Sequence, residues 1–267
     1  MDIQQLQQLK QCKILVIGES CCDRYQFGEC TRISPEAPVP VFKVSYKKDR
    51  YGMAANVGLN LKGLGQSVLI LSGDENIVKE RFIDENFRQQ VLRADHHDQV
   101  HNLDMEIFYQ ENLDEFDAIV ISDYDKGLLT HKIIEDILLH AEKHKLPVFV
   151  DTKKKDISCY ENCTIKLNDL ENSRIVKFPK KYDLVLTLGA AGAEYKGKTY
   201  NAHKVNVFDV CGAGDTFLAA FTVAKLSKFS DGKCVEFANL CAGISVKTLG
   251  THEIKLKEIV DEINLRS

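Results

Sequence analysis

The sequence predicts a doubly wound α/β fold: a mostly parallel sheet flanked by helices, with a small β-sheet lid. Three observations predict it. Apolar runs of strand length recur along the chain, continuous rather than alternating, as strands covered on both faces are. Helical patterns separate those runs, which is what crossover connections between parallel strands require. Two stretches break the alternation and read as strands of a separate sheet.

In chain order, residues 13–17 (Lys-Ile-Leu-Val-Ile) form the first buried strand, ending at Gly18. Residues 26–48 hold Gly28, Pro35, Pro38 and Pro40 and then an extended run over 39–46. Residues 54–64 place Val57, Leu61 and Leu64 on one helical face. Residues 68–71, 118–121, 148–150 and 184–186 read as further buried strands. Residues 79–94 alternate apolar with polar and turn at Glu85-Asn86, so 26–48 and 79–94 are expected to build the lid. Thr130 is placed to cap a helix carrying Ile133, Ile134, Ile137, Leu138 and Ala141. The last third is helical over 213–226 and 234–249, with an apolar strand expected at 205–208. Neither a low-complexity linker nor an internal repeat interrupts the chain, so residues 1–267 are expected to form one domain.

Composition excludes several classes. The 35 Lys and Arg against 39 Asp and Glu leave a formal charge of −4, with no basic block, so a grip on nucleic acid is not expected. No apolar run approaches the ~20 residues of a membrane span. The first residues, Met-Asp-Ile-Gln-Gln-Leu, lack the basic-then-apolar order of a signal peptide. The nine cysteines are scattered, and the Cys159/Cys163 pair has no companion pair to complete a zinc set. Reduced thiols and a cytoplasmic location are the expectation.

The most informative segment is Asp209-Val-Cys-Gly-Ala-Gly-Asp-Thr216, which opens an apolar helix. Small residues at Gly212, Ala213 and Gly214 let backbone approach a ligand closely. The free N–H groups and positive dipole end of the helix favour an anion there. Asp215, beside that anion hole, suits a base that takes the proton of a hydroxyl attacking a phosphoryl group.

The whole segment resembles the C-terminal signature of the ribokinase-like (PfkB) carbohydrate kinases. Asp23-Arg-Tyr25, residues 32–40, residues 54–57, Ser122-Asp-Tyr124, Asp151 with Lys153, and Leu249-Gly-Thr251 resemble its branch acting on D-glycero-D-manno-heptose 7-phosphate. The resemblance runs from about residue 13 to about residue 259. It implies an ATP-dependent sugar or sugar-phosphate kinase with Asp215 as base and Gly212, Ala213 and Gly214 holding the migrating charge. It implies that Asn168 and Glu171 position Mg2+ through water and that Lys153 faces the phosphates. Thr187, Gly189 and Gly192 would form the nucleotide loop and Asn239 the purine wall. Asp23 and Asn56 would contact the sugar, with Gly52 beside them. Asp209 and the carbonyl of Cys211 would hold a monovalent cation such as K+. The lid would close over the sugar and join two copies as a homodimer.

The chain departs from the family pattern at four places. Met53 follows Gly52 where a second glycine is usual, and Cys211 replaces Thr or Ser. A helix and strand after Gly73 are missing, and the region after Glu171 is shortened. These changes bear on the sugar side more than on the phosphate side. They motivate a contrasting reading, a nucleotide- or sugar-binding member without catalysis that serves a regulatory or scaffold role. Joint retention of Asp215, Gly212, Gly214, Asn168, Glu171 and Lys153 argues for the enzyme. With no His-x-Gly-His present and nothing after Ser267, a kinase domain without a fused nucleotidyltransferase is expected.

Three decoys carry other chemistry by letters alone. Residues 192–199 match a P-loop, but 200–205 show no helical face and read as a hairpin return about Gly197-Lys198. His140 and His144 are spaced i, i+4 without the rest of a zinc motif, and read as a solvated helix end. His96-His97-Asp98 reads as a polar loop. No Gly-x-Gly-x-x-Gly follows the first strand, which excludes a dinucleotide-binding dehydrogenase.

Overall fold

A computed structural model describes residues 2–73 and 77–266. One turn of helix, α1 (Ile3–Leu6), leads to β1 (Lys13–Gly18), β2 (Ser20–Ile33), β3 (Pro40–Met53), α2 (Ala54–Gly63) and β4 (Ser67–Leu71). Then come β5 (Ile77–Asp84), β6 (Gln89–His96), α3 (Met105–Gln110), β7 (Ala118–Asp123), α4 (His131–Lys143) and β8 (Val148–Thr152). The remainder is β9 (Cys163–Asn168), α5 (Asp169–Ser173), β10 (Tyr182–Thr187), β11 (Ala193–Tyr195), β12 (Lys198–Tyr200), α6 (Ala213–Leu226), α7 (Asp231–Ser245) and α8 (Leu256–Arg266).

The larger sheet has the order β12-β11-β10-β9-β8-β7-β1-β4. Strands β4 to β10 in that sheet run parallel, and the β10-β11-β12 meander is antiparallel. Period-two alternation splits β1 between two cores. Ile14 and Val16 join the core under α2, α6, α7 and α8. Leu15 and Ile17 join the core under α3 and α4 with Ile119, Ile121, Ile134 and Ile137. Each fully buried aliphatic side chain stabilises by about 1.5–3 kcal/mol, so both faces of the sheet must be covered. Thr130 caps α4 by accepting the N–H of Ile133 at 3.3 Å. No helix among the described residues is long and apolar enough to cross a membrane.

The smaller sheet has the order β3-β2-β5-β6, with β2 and β5 parallel and the outer pairs antiparallel. Its strands reach beyond 26–48 and 79–94. Strand β2 begins at Ser20 because Cys21, Asp23 and Tyr25 alternate inward and are buried. The β5–β6 turn follows Asp84, whose carboxylate accepts the N–H groups of Asn86 at 2.9 Å and Phe87 at 3.1 Å. Of the shortened stretch after Gly73, residues 74–76 lie outside the described residues.

Two expected elements differ. Residues 205–208 form no strand. The N–H groups of Phe208 and Asp209 both reach the carbonyl of Val246, at 2.7 and 3.2 Å, so this segment is tied to the end of α7. That helix runs from Asp231 to Ser245 instead of 234–249; in the segment after it, Thr251 donates to the carbonyl of Tyr51 at 3.0 Å and the N–H of Ile254 to Asn60 Oδ1 at 3.1 Å.

Met53 stands at the N-cap of α2 with φ +61° and ψ −134°, a conformation that favours glycine. Its side chain is buried with Cys21 and Ile77. Strain and packing therefore oppose each other at this residue. Met53→Ala keeps the strain and loses the packing, whereas Met53→Gly loses the packing and relieves the strain. The alanine variant is expected to be less stable than the glycine variant by about 1–2 kcal/mol, read from urea midpoints.

Candidate active site

The parallel strands deliver polar groups to their C-terminal edge, where doubly wound sheets bind ligands. Glu19 follows β1, Asp123 ends β7, Lys153 follows β8, Asn168 ends β9 and Thr187 ends β10. Glu19 is buried and its carboxylate accepts the N–H groups of Tyr124 (2.8 Å), Lys126 (3.0 Å) and Leu128 (3.3 Å). Burial, with Asp123 nearby, pushes its carboxyl above the usual range. Glu19 thereby fixes the loop that presents Tyr124.

Asp215 lies in the first turn of α6 and is buried. Asn56 Nδ2 donates to its Oδ2 at 2.8 Å, and the Tyr124 hydroxyl donates to its Oδ1 at 3.1 Å. Asn60, one turn along α2, donates to the carbonyl (2.8 Å) and Oδ1 (3.2 Å) of Asn56. Its own Oδ1 accepts Thr216 Oγ1 and the N–H of Ile254, both at 3.1 Å. Those acceptances orient the Asn60 amide, which in turn aims Asn56 Nδ2 at the carboxylate. Burial pushes the Asp215 carboxyl up to about 6, even though the Asn56 hydrogen bond and two lysines pull it down. Asn56→Ala removes that pull. The acid limb of turnover is expected to move up, with kcat at saturating sugar down roughly three- to tenfold at pH 7 and largely recovered above about pH 8.

Gly212, the N-cap of α6, takes the left-handed conformation at φ +77°. A Cβ there would lie 2.7 Å from Asn56 Nδ2, so the glycine loop and the Asp215 relay pack directly together. The N–H groups of this first turn and the carboxylate of Asp215 share one end of the helix.

A second charged group lies beside it. Asp151, buried on β8, accepts Lys153 Nζ at 2.9 Å and Lys166 Nζ at 2.6 Å. Lys153 also bonds Glu171. Burial would raise the Asp151 carboxyl, but Lys153 and then Lys166 hold it down at about 2. Asn168 and Glu171 form a capping box on α5: Asn168 Oδ1 accepts the Glu171 N–H, and Glu171 Oε2 accepts the Asn168 N–H, both at 2.8 Å.

Asp23 on β2 is ion-paired with Arg81 of β5 at 2.5 Å, and Gly52 packs against its carboxylate. Arg81 Nη2 also points to Cys211 Sγ at 3.8 Å. Lys79 of β5 lies 4.8 Å from the ring of Tyr124. The smaller sheet therefore reaches the loop before α6 from one side.

Other expected residues gather elsewhere. Thr187, Gly189 and Gly192 lie at the end of β10 and the turn after it. Asn239 on α7 donates to the carbonyl of Tyr200 at 3.0 Å, so its amide is turned onto the end of β12. Both oxygens of Asp209 accept backbone N–H groups, of Cys211 at 3.0 Å and Gly250 at 2.7 Å. Residues 192–199 form the β11–β12 hairpin. His140 and His144 have separate partners, the carbonyl of Asp136 and the carboxylate of Asp114. Among the described residues no cluster of three or more His, Cys, Asp or Glu could hold a metal.

Sequence reasoning gave no role to Glu19, Asn60, Tyr124, Arg81 or Lys166. Asn60 had a signal: it stands four residues after Asn56, on the same helical face. Lys166 had one too, as a single charge inside an apolar strand.

The model of the pfkB carbohydrate kinase family matches residues 82–258, well over half of the chain. The chain belongs to that family. Curated relatives include the bifunctional protein HldE of Campylobacter jejuni strain RM1221, 33% identical over 92% of this chain and 64% of the relative. HldE of Haemophilus influenzae strain PittEE is 31% identical over 97% of this chain and 65% of the relative. The chain thus spans a little under two thirds of the length of these relatives. Phosphofructokinase-2 of Escherichia coli, solved in complex with potassium, superposes with a TM-score of 0.75 at 16% identity, covering 96% of this chain and 99% of its own. Arabidopsis thaliana ribokinase, solved with ribose and ATP, gives 0.69 at 15% identity, covering 95% and 99%. The fold of this pfkB-family sugar kinase is ribokinase-like.

Proposed function

We propose that this carbohydrate kinase transfers the γ-phosphate of ATP to a hydroxyl of a sugar phosphate, with heptose 7-phosphate as the best-supported acceptor. The observation that carries the reading is Asp215: a buried carboxylate at the N-terminal turn of α6, poised near 6 and held by Asn56 and Tyr124. A base with that value is ionised at neutral pH and still takes a proton readily. Burial raises the Tyr124 hydroxyl far above its ordinary value, so it stays a donor.

Asp215 takes the hydroxyl proton as the oxygen attacks phosphorus in line. The N–H groups of Gly212 and Gly214 meet the charge that spreads over the migrating group, while the Ala213 N–H, expected to join them, is held by the carbonyl of Val210 at 3.2 Å. Lys153, held between Asp151 and Glu171, serves the phosphates of the nucleotide. Thr187, Gly189, Gly192 and Asn239 serve the adenosine end, where Gly189 faces open space. Asp23, Asn56 and Gly52 serve the sugar.

The oxygens of Asn168 and Glu171 already have protein partners. They would hold Mg2+ through its waters, and the ion would supply neutralisation of the triphosphate charge. Asp209 and the carbonyl of Cys211 would hold K+.

The acceptor is read from the smaller sheet and from the relatives. Lys79 puts a cation on the lid side of the site, beside the Arg81–Asp23 pair, which suits an acceptor that already carries a phosphate. The sheet would close over the sugar and exclude water. Exposed Val44, Tyr46 and Leu92 on its strands support pairing of two copies there. Residues 1–267 are read as one kinase domain, and the proposed ATP use with nine free thiols supports a cytoplasmic location.

A coupled assay of ADP release with hexose, pentose and heptose phosphates tests the reading. Turnover is expected, fastest with D-glycero-β-D-manno-heptose 7-phosphate. ATP binding without turnover on any acceptor would instead establish the non-catalytic binder.

A further inference from the structure

The two oxygens of Asp215 are held in unlike ways. Oδ2 accepts Asn56 Nδ2 at 2.8 Å, and the Asn60 relay fixes that amide. The carboxylate is thus oriented from that side alone. Oδ1 accepts the Tyr124 hydroxyl at 3.1 Å. A hydroxyl bonded to a carboxylate normally stands at about 2.5–2.7 Å, so this bond is a loose one. Among the described residues no other side chain donates to Oδ1. Oδ1 is therefore the oxygen left to take a proton, and a hydroxyl of the protein already stands on it. Asp215 is 4% exposed, which leaves Oδ1 little open surface for a second hydroxyl.

The ring of Tyr124 stands between the smaller sheet and the lysine assigned to the phosphates. Lys79 of β5 lies 4.8 Å from its centre and Lys153 lies 5.4 Å from it. The ring also packs against Cys21, Met53 and Ile77, which root the smaller sheet. Its backbone is fixed, since Glu19 Oε2 accepts the Tyr124 N–H at 2.8 Å. The side chain can leave Asp215 by rotating about its own bonds, with no change in the loop.

We infer that Tyr124 is a specificity-determining residue: its hydroxyl holds the acceptor's place on Asp215 and keeps water off the base until a sugar displaces it. This rests on the kinase reading above. Water is the competing acceptor in such a site. Were Asp215 to take a proton from water, the water oxygen would bond to the γ-phosphorus and the bond to the β-phosphate oxygen would break. The electron pair would leave on ADP, and inorganic phosphate would be released. A sugar brings the binding energy of its other groups, and that energy moves the phenol aside; a water molecule has none to bring. The sugar oxygen then bonds to phosphorus, its proton goes to Oδ1, and the same electron pair leaves on ADP. Tyr124 keeps its own proton throughout.

Tyr124→Phe removes the hydroxyl and keeps the ring. With Mg2+ and ATP but no sugar, ADP release is expected to rise roughly tenfold over wild type, and adding Asp215→Asn should abolish the gain. With the sugar phosphate that the wild type turns over fastest, KM for that acceptor should fall. More ADP than phosphorylated sugar should then appear. The acid limb of kcat/KM for the acceptor should move up, because that ratio reads the enzyme before the sugar binds, while the acid limb of kcat stays in place. The charged groups that face Asp215, namely Asp151, Lys153 and Lys166, are the same in the variant. Thermal melting checks that the variant is folded; if it is not, Tyr124→Leu decides by the same measurements. Sugar-free ADP release no faster than in wild type, or a gain that survives Asp215→Asn, overturns the role of Tyr124 alone. So do acid limbs of kcat and kcat/KM that move together, since the hydroxyl would then stay on Asp215 during transfer. A wild type that turns over no acceptor overturns the kinase reading and this inference with it.

Discussion

Asp215→Asn is expected to lower turnover roughly 1000-fold and, at the same time, to raise thermal stability. The first effect follows from losing the proton acceptor while every contact to the nucleotide is kept. ATP affinity should change little, which a titration separates from kcat. The second effect follows from burial. The carboxyl is pushed from 3.8 to about 6 in the fold, so its charged form is a burden on the native state. A group whose folded value lies above its unfolded value destabilises most at pH above both. That burden shrinks as pH falls from 6 toward 3.8 and is gone below. At about 1.4 kcal/mol per unit, it reaches on the order of 3 kcal/mol at neutral pH. An amide in the same place carries no charge, and it can still accept from Asn56. The gain in melting temperature should therefore be largest above pH 6 and vanish below about pH 4. An unchanged kcat would remove Asp215 from the chemistry. A stability gain independent of pH would remove burial as the cause of its raised value.

The parts of this site legible in the sequence are those whose chemistry is local. Gly212, Gly214 and Asp215 belong to one helix start, and free N–H groups at a helix start follow from backbone geometry alone. The Asn168–Glu171 pair came from the family resemblance, and the capping box that the structure shows there is equally local. The strands read correctly followed from continuous apolar runs, because a strand covered on both faces has no polar side to show; β9, interrupted by Lys166, offered no such run and was missed. What could not be read is what folding brings together from afar. Tyr124 meets Asp215 across 91 positions, and Lys166 meets Asp151 from a neighbouring strand. The 205–208 run shows the opposite error. Its residues have strand chemistry, yet Val207 and Phe208 stay exposed because the carbonyl of Val246 takes the N–H of Phe208. At Met53 the sequence departure from glycine and the backbone agree that the position is unusual. The side chain persists there because it is buried.

Asp151→Asn is expected to be the most destabilising single change at the site, by about 3–5 kcal/mol. The carboxylate is 2% exposed and is shared by two ammonium groups, one of them, Lys166, 5% exposed. Its value near 2 lies below the unfolded 3.8, so the stability it contributes is present above 3.8 and is lost as pH falls through 2. An asparagine offers one acceptor oxygen to two lysines; Lys153 keeps Glu171, but Lys166 cannot reach water to compensate. The urea midpoint should drop with little change in slope, since the fold exposes the same surface on unfolding. The double variant Asp151→Asn with Lys166→Met separates the causes. If the penalty is the stranded charge, removing Lys166 should restore more than about 1 kcal/mol of what Asp151→Asn loses. If the two losses simply add, Asp151 matters through packing, and the shared-carboxylate arrangement is not what holds Lys166 in place. Turnover should not return in the double variant even where stability does, because Lys153 has then lost the Asp151 carboxylate that holds it. Stability and activity thus answer separate questions about the same carboxylate.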